Sequence, residues 1–132
     1  MKKRILILEE SEPLRQSIVF ILAEEGFASI PMSHVAASLE IIQERSVDLL
    51  IADLQSSISS GLTLLQPLAG GSTVFPFPVI LIHNDLSGAY EITRNMSPGI
   101  RFITKPFSRD VLMSAVYSFL NLSGNHRYYS EM

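Results

Sequence analysis

The chain has 132 residues, of which 47% are hydrophobic and 17% are charged, and its net charge is −3. This length fits one domain, and the apolar content excludes disorder as the main state. Thirteen acidic side chains against ten basic ones argue against nucleic acid as the principal partner, and the absence of cysteine excludes disulfides and thiolate chemistry.

Five short apolar runs predict β-strands. The first, third and fourth are apolar throughout instead of alternating, which is typical of strands that are covered on both faces. The predicted strands are residues 5–8, 28–32, 49–52, 79–82 and 101–104.

Segments with helical periodicity lie between and after these runs. Ser11 can cap the first helix and Gly26 can end it, with Pro13 tolerated in the first turn. The later helices are predicted at residues 35–45, 61–68, 87–96 and 108–122. The last has the clearest apolar stripe, which consists of Val111, Leu112, Ala115, Val116, Phe119 and Leu120.

Strand and helix therefore alternate five times, which predicts an α/β fold with a parallel sheet and helices on both faces. Residues 1–122 form a single domain in this interpretation, and residues 123–132 form a polar tail. The first apolar run is too short for a signal peptide, and no segment approaches a membrane span. We therefore expect a cytoplasmic protein that does not contact a membrane.

Polar side chains stand where several predicted strands end. Glu9 and Glu10 follow the first strand, Asp53 ends the third, His83 follows the fourth, and Lys105 follows the fifth. Ligands of doubly wound folds bind at the carboxyl ends of the strands. Three carboxylates at one edge repel each other unless a cation lies among them, and hard oxygen ligands favour Mg²⁺. A metal and anion site at this edge is the prediction.

These residues resemble a known family, the receiver domain of two-component response regulators. Residues 5–15 resemble its opening, with an acidic pair after the first strand, and residues 48–54 resemble its phosphoacceptor strand. The run Thr104-Lys105-Pro106-Phe107 is similar to its Lys-Pro-Phe signature. The resemblance covers about residues 4–122 and implies a flavodoxin-like (βα)5 fold with strand order 2-1-3-4-5.

The resemblance also implies a chemistry. Asp53 would accept a phosphoryl group, and Lys105 would pair with that group. Mg²⁺ would be bound by Glu10 directly, by Glu9 through water, by Asp53, and by the backbone carbonyl of Gln55. His83 and Phe102 occupy the two positions that carry the family's conformational switch.

Three positions depart from the family pattern. The acidic pair is Glu9-Glu10 where aspartate is usual, and the longer side chains predict weaker Mg²⁺ binding. Ser57 replaces a common proline. His83 replaces a hydroxyl that normally moves inward onto the phosphoryl group; imidazole is too large for that movement, although it could donate an N–H to an anion.

Two functions stay open on these residues. The first is a receiver that is phosphorylated by a sensor histidine kinase or a phosphotransfer protein. It would signal to a downstream protein through the face of residues 87–96, 101–104 and 108–122, or relay the phosphoryl group. It would not be an enzyme beyond self-phosphorylation from small donors and autodephosphorylation, and a homodimer is a further option. The second is a degenerate pseudo-receiver that binds a partner whatever its phosphorylation state.

Two other site chemistries fit these residues less well. The acidic residues after the first strand argue against a flavin or nucleotide site, which needs donors for phosphate. A phosphatase that uses Asp53 stays open, although the second carboxylate it would position two residues on is replaced by Gln55.

Overall fold

A five-stranded parallel sheet forms the centre of the fold in this computed structural model, which describes residues 3–44, 47–53, 76–84 and 99–120. The strands have the order β2-β1-β3-β4-β5. They are β1 (Ile5–Leu8), β2 (Ser29–Met32), β3 (Leu49–Asp53), β4 (Val79–His83) and β5 (Ile100–Thr104). The predicted fold class and strand order are confirmed.

The strand boundaries lie within one residue of the predicted ones. Strand β3 includes Asp53, which was expected at its end, and β4 includes His83, which was expected to follow it. Asp53 is paired with Ile82 in the register of β3 and β4, and His83 is paired with Thr104 in the register of β4 and β5. The backbones of both residues are therefore fixed by the sheet.

Each face of the sheet is covered by its own apolar cluster. Alternate residues of one strand point to opposite faces, so Ile5 and Ile7 belong to one cluster while Leu6 and Leu8 belong to the other. The first cluster includes side chains of two helices, and the second includes Val35 and Ile41 of a third. Burial on both faces explains why β1, β3 and β4 are almost continuously apolar.

Three helices lie within the described residues: α1 (Glu12–Glu24), α2 (Val35–Glu44) and α3 (Arg109–Leu120). Helix α1 begins after Ser11 as predicted, but the Ser11 hydroxyl makes no capping hydrogen bond. Gly26 follows the end of α1 with φ of +89°, a left-handed conformation that glycine adopts at little cost. The Ser108 hydroxyl accepts the N–H of Val111 at 3.2 Å and caps α3.

The predicted stripe of α3 is wrong at Val111, which is 49% exposed. Met113 and Tyr117 are buried instead, together with Leu112, Ala115, Val116 and Leu120. At 100° per residue, the buried positions centre near Val116, and Val111 lies on nearly the opposite side of the helix.

Several predictions lie outside the described residues. They include the helices at residues 61–68 and 87–96, the tail at 123–132, and the positions Gln55 and Ser57. Within the described part of the chain, no helix is long and apolar enough to cross a membrane.

Candidate functional site

The carboxyl edge of the sheet brings Glu9, Asp53, His83 and Lys105 to one end of the fold. Parallel strands all end at this edge, so each side chain is placed by the strand that contains it or directly precedes it. The Glu9 N–H donates to the Met32 carbonyl at 3.0 Å, and the Lys105 N–H donates to the His83 carbonyl at 3.0 Å. The backbone therefore continues strand-like pairing into the site.

Asp53 and Lys105 form the central ion pair. Lys105 Nζ lies 2.7 Å from Asp53 Oδ2, and the Asp53 side chain is 1% exposed against 28% for Lys105. The second carboxylate oxygen, Asp53 Oδ1, is buried and receives no N–H or hydroxyl hydrogen bond within the described residues. A buried carboxylate oxygen is costly unless a donor or a cation meets it, and either a protonated Glu9, which hydrogen-bonds to Asp53, or a coordinated cation would remove that cost.

Glu9 is the second carboxylate of the site, and it is 1% exposed. The Ser11 N–H donates to Glu9 Oε2 at 3.1 Å. Burial raises the pKa of Glu9 from its ordinary 4.5 to about 7, and the neighbouring Asp53 carboxylate also raises it. The Ser11 N–H and the charge of Lys105 act in the opposite direction.

The Glu10 side chain is exposed, whereas those of Glu9 and Asp53 are buried. Among the described residues, no three histidine or carboxylate side chains are grouped closely enough to hold a metal ion. The Gln55 carbonyl lies outside those residues. Glu9 and Asp53 nevertheless offer buried, hard oxygen atoms, a donor chemistry that fits Mg²⁺ and that its retained water ligands would complete.

His83 and Phe102 take different positions relative to the ion pair. His83 is the last residue of β4 and is buried. Phe102 lies within β5, opposite Leu81, and packs half-buried against the apolar cluster that contains Leu81. His83 is thus at the edge that carries the site, whereas Phe102 lies further back along the sheet.

Arg15 is a residue of this region to which the sequence analysis gave no role. Its Nη1 donates to the Glu9 carbonyl at 2.7 Å and to the Glu10 carbonyl at 3.2 Å. The available signal was a long cationic side chain in the first turn of the helix that follows an acidic pair. The guanidinium of such a residue can reach back over the preceding loop.

A groove of about 580 Å³ opens beside Lys105, between α1 and the residues after β5. Its walls are mostly apolar and include Leu14, Ile18 and Phe107, while Asn84 and Lys105 contribute polar atoms. The Lys105 end of the site is therefore approached from a concave surface. A buried carboxylate beside a partly exposed lysine can act as a nucleophile toward an anionic group that the lysine neutralises.

Sequence comparisons identify relatives of the chain. A family model described as the response regulator receiver domain matches residues 5–117. The transcriptional regulatory protein FixJ of Rhizobium meliloti is 31% identical over 110 residues, which are 83% of this chain and 53% of that protein. The phosphate regulon transcriptional regulatory protein PhoB of Escherichia coli is 26% identical over 117 residues, 88% of this chain and 51% of that protein. The chain thus spans about half the length of these curated relatives.

The fold also matches solved structures. A response regulator from Thermotoga maritima superposes with a TM-score of 0.75 at 18% identity, covering 92% of this chain and 100% of that one. A receiver domain of a Francisella response regulator gives a TM-score of 0.74 at 21% identity, with 91% and 98% covered. At these identities the structural match supports the fold alone.

Proposed function

The chain belongs to the response regulator receiver domain family, and on that premise we propose that it signals by accepting a phosphoryl group on Asp53. The observation that carries this proposal is the Asp53 carboxylate, buried at the end of a central strand with Lys105 Nζ at 2.7 Å. The resulting acyl phosphate would change the affinity of the domain for partner proteins.

The proposed reaction is an in-line displacement at phosphorus. A carboxylate oxygen of Asp53 forms a bond to phosphorus as the bond from phosphorus to the nitrogen or oxygen of the donor breaks, and the donor leaves with that electron pair. Lys105 is placed to neutralise charge on the phosphoryl oxygens. The groove beside Lys105 supports the proposal, because it gives a donor access to that side of the site.

Mg²⁺ is the proposed cofactor. It would be held by Glu9, Glu10, Asp53 and the carbonyl of Gln55, and when bound it neutralises phosphoryl oxygens during transfer. The resemblance assigns direct coordination to Glu10, but Glu9 is the buried carboxylate that lies with Asp53. We propose weak binding, because two glutamates reach further than Mg²⁺ octahedral geometry favours.

The proposed partners follow from the family. A sensor histidine kinase or phosphotransfer protein would supply the phosphoryl group in the cytoplasm. A downstream protein, or a second copy of the chain, would bind the face of residues 87–96, β5 and α3. The two curated relatives are named as transcriptional regulators, but this chain covers only about half of each. Direct binding of nucleic acid or membrane is not part of the proposal.

The test is phosphorylation with a small acyl phosphate and Mg²⁺, followed by intact mass measurement. We expect one phosphoryl group on the native chain and none on Asp53→Asn. Asp48→Asn is the matched control, because Asp48 stands just before β3 and accepts the Arg4 N–H at 2.7 Å, far from the site. Equal phosphorylation of the native chain and Asp53→Asn would contradict the assignment.

The pseudo-receiver is the second candidate function. Buried His83 at the hydroxyl position favours it, because imidazole cannot make the inward movement of a serine or threonine hydroxyl. Two results together would establish this candidate over phosphorylation-dependent signalling: the native chain accepts no phosphoryl group, and the native chain and Asp53→Asn bind the partner with equal affinity.

A further inference from the structure

We propose that Arg15 is a positioning residue that orients the Glu9 carboxylate toward Asp53 and thereby sets the affinity of the site for Mg²⁺. The metal part of this inference rests on the proposed function, whereas the orientation of Glu9 does not. Arg15 is half-buried in the first turn of α1, and its own backbone N–H donates to the Ser11 carbonyl at 2.9 Å.

The link between Arg15 and Glu9 passes through the peptide unit that joins Glu10 to Ser11. Arg15 Nη1 binds the carbonyl of this unit at 3.2 Å. In a trans peptide the C=O and the N–H point in opposite directions from a rigid plane. A carbonyl held toward Arg15 therefore directs the Ser11 N–H away from Arg15, and that N–H donates to Glu9 Oε2 at 3.1 Å.

The neighbouring peptide unit is fixed by the same guanidinium. Arg15 Nη1 also binds the Glu9 carbonyl at 2.7 Å, while the Glu9 N–H is held by the Met32 carbonyl at 3.0 Å. Glu9 is thus anchored on both sides of its Cα, by β2 and by α1. The Glu9 side chain is attached to a backbone that cannot rotate freely, so its carboxylate can point in fewer directions.

Loss of the guanidinium would free both peptide units. The Ser11 N–H would then leave the carboxylate, and Glu9 would sample other rotamers in a site where its oxygens must meet a cation with fixed geometry. Groups that orient metal ligands typically contribute 10- to 100-fold in affinity. For Arg15→Ala we expect Mg²⁺ binding to weaken by about tenfold, since Asp53 keeps its own position on β3.

The experiment has a metal-free readout and a metal readout. The first is the amide proton shift of Ser11 in the apo protein, which reports its hydrogen bond to the carboxylate. We expect this resonance to move upfield in Arg15→Ala and to return partway in Arg15→Lys, whose ammonium can still donate to the carbonyls. The second is a Mg²⁺ titration followed by amide shifts of residues 9–11 and 53.

Arg101→Gln is the matched control. Its guanidinium donates to Ser118 Oγ at 2.6 Å on an exposed part of the molecule, so a general effect of losing an arginine would appear there too. We expect native Ser11 shifts and native Mg²⁺ affinity in this variant.

A Ser11 amide that is unchanged in a folded Arg15→Ala overturns the proposal, and so does a Mg²⁺ affinity that is unchanged when the native chain binds the metal. A native chain that binds no Mg²⁺ contradicts the metal part of the proposed function, while the Ser11 amide still decides whether Arg15 orients Glu9. If Arg15→Ala does not fold, the Ser11 amide shift of Arg15→Lys decides whether Arg15 orients Glu9.

Discussion

Two buried carboxylates lie beside a single lysine at the site, so negative charges outnumber positive ones. This excess of negative charge affects the protonation of the individual carboxylates. Asp53 is paired directly with Lys105, whereas Glu9 is desolvated by burial and repelled by Asp53. Each extra buried negative charge costs free energy unless a proton or a cation neutralises it. Burial, the side-chain hydrogen bond with Asp53 and the Asp53 charge raise the pKa of Glu9 to about 7, so protonation of Glu9 removes one of these charges below that pH.

The raised pKa of Glu9 predicts a specific pH dependence of stability. Between its unfolded pKa of 4.5 and its folded pKa of about 7, the folded state holds a proton that the unfolded state has lost. The free energy of unfolding should therefore fall as pH rises through this range, by at most about 3 kcal/mol, and level off above it. Chemical denaturation at several pH values, with a chelator present, measures this slope.

Glu9→Gln should remove most of that pH dependence, since the amide is neutral throughout the range. Glu10→Gln is the matched control and should keep it, because the Glu10 side chain is exposed at the adjacent position. A slope that persists in Glu9→Gln, or disappears in Glu10→Gln, would assign the titration to another group.

His83 predicts a weak conformational response to phosphorylation. Beryllofluoride with Mg²⁺ imitates the acyl phosphate, and we expect it to shift the Lys105 amide strongly and the Phe102 amide only slightly. The proposed reason is steric: His83 is buried, and by the family resemblance it takes the position of a small hydroxyl that moves inward. His83→Thr should enlarge the shift at Phe102.

His34→Thr is the control for His83→Thr, because the His34 side chain is exposed and its Nδ1 lies 2.7 Å from the hydroxyl oxygen of the neighbouring Ser33. It should leave the beryllofluoride response unchanged. A large rearrangement at Phe102 in the native chain would refute the weak switch, and no difference in His83→Thr would show that this position does not limit it.

At the scale of elements, a polar cluster joins the end of α1 to α3. Arg109 forms ion pairs with Glu24 and with Glu25, the latter at 2.7 Å. The Tyr117 hydroxyl donates to Glu25 Oε1 at 2.7 Å, and the Tyr117 ring lies 5.7 Å from that of Phe27. The hydroxyl of Tyr117 and the guanidinium of Arg109 lower the pKa of Glu25. This cluster links α1 and α3, the two helices that pack on one face of the sheet.

Tyr117→Phe tests the contribution of that hydroxyl. It removes the hydrogen bond to Glu25 and keeps the ring, so we expect a loss of about 1 kcal/mol in the free energy of unfolding. Ser118→Ala removes a hydroxyl of the same helix that accepts from Arg101 and donates to the Ala115 carbonyl. Because Ser118 is exposed and water replaces these bonds, it should change the free energy of unfolding by less than about 0.5 kcal/mol. Equal losses in urea denaturation would show that the buried hydroxyl contributes nothing specific.

Two valines of α3 test which face of that helix packs on the sheet. Val116 is fully buried and Val111 is 49% exposed. Val116→Ala should lower the free energy of unfolding by about 2 kcal/mol through lost apolar burial and a cavity. Val111→Ala should change it by less than about 0.5 kcal/mol, because alanine favours the helix and little burial is lost. Similar effects of the two substitutions would contradict the observed orientation of α3.

For the whole molecule, the sheet was predictable because a strand buried on both faces has a continuous apolar pattern. Ile5–Leu8 and Val79–His83 show it directly. The sequence did not predict that Glu9 is buried and Glu10 exposed. This depends on the backbone conformation after β1 and on the hydrogen bonds that Arg15 donates to the carbonyls of Glu9 and Glu10. The packed face of α3 was predicted in part, because Val111 was counted in its stripe and Met113 and Tyr117 were not.

We propose that the whole domain, as a signalling unit, carries its phosphoryl group on Asp53. Borohydride reduction after treatment with a small acyl phosphate and Mg²⁺ tests this most directly, because it converts an aspartyl phosphate into homoserine. Peptide mass spectrometry should then find homoserine at position 53 in the native chain and in Asp48→Asn. Homoserine at another position, or none in a folded native chain that binds Mg²⁺, would contradict the account.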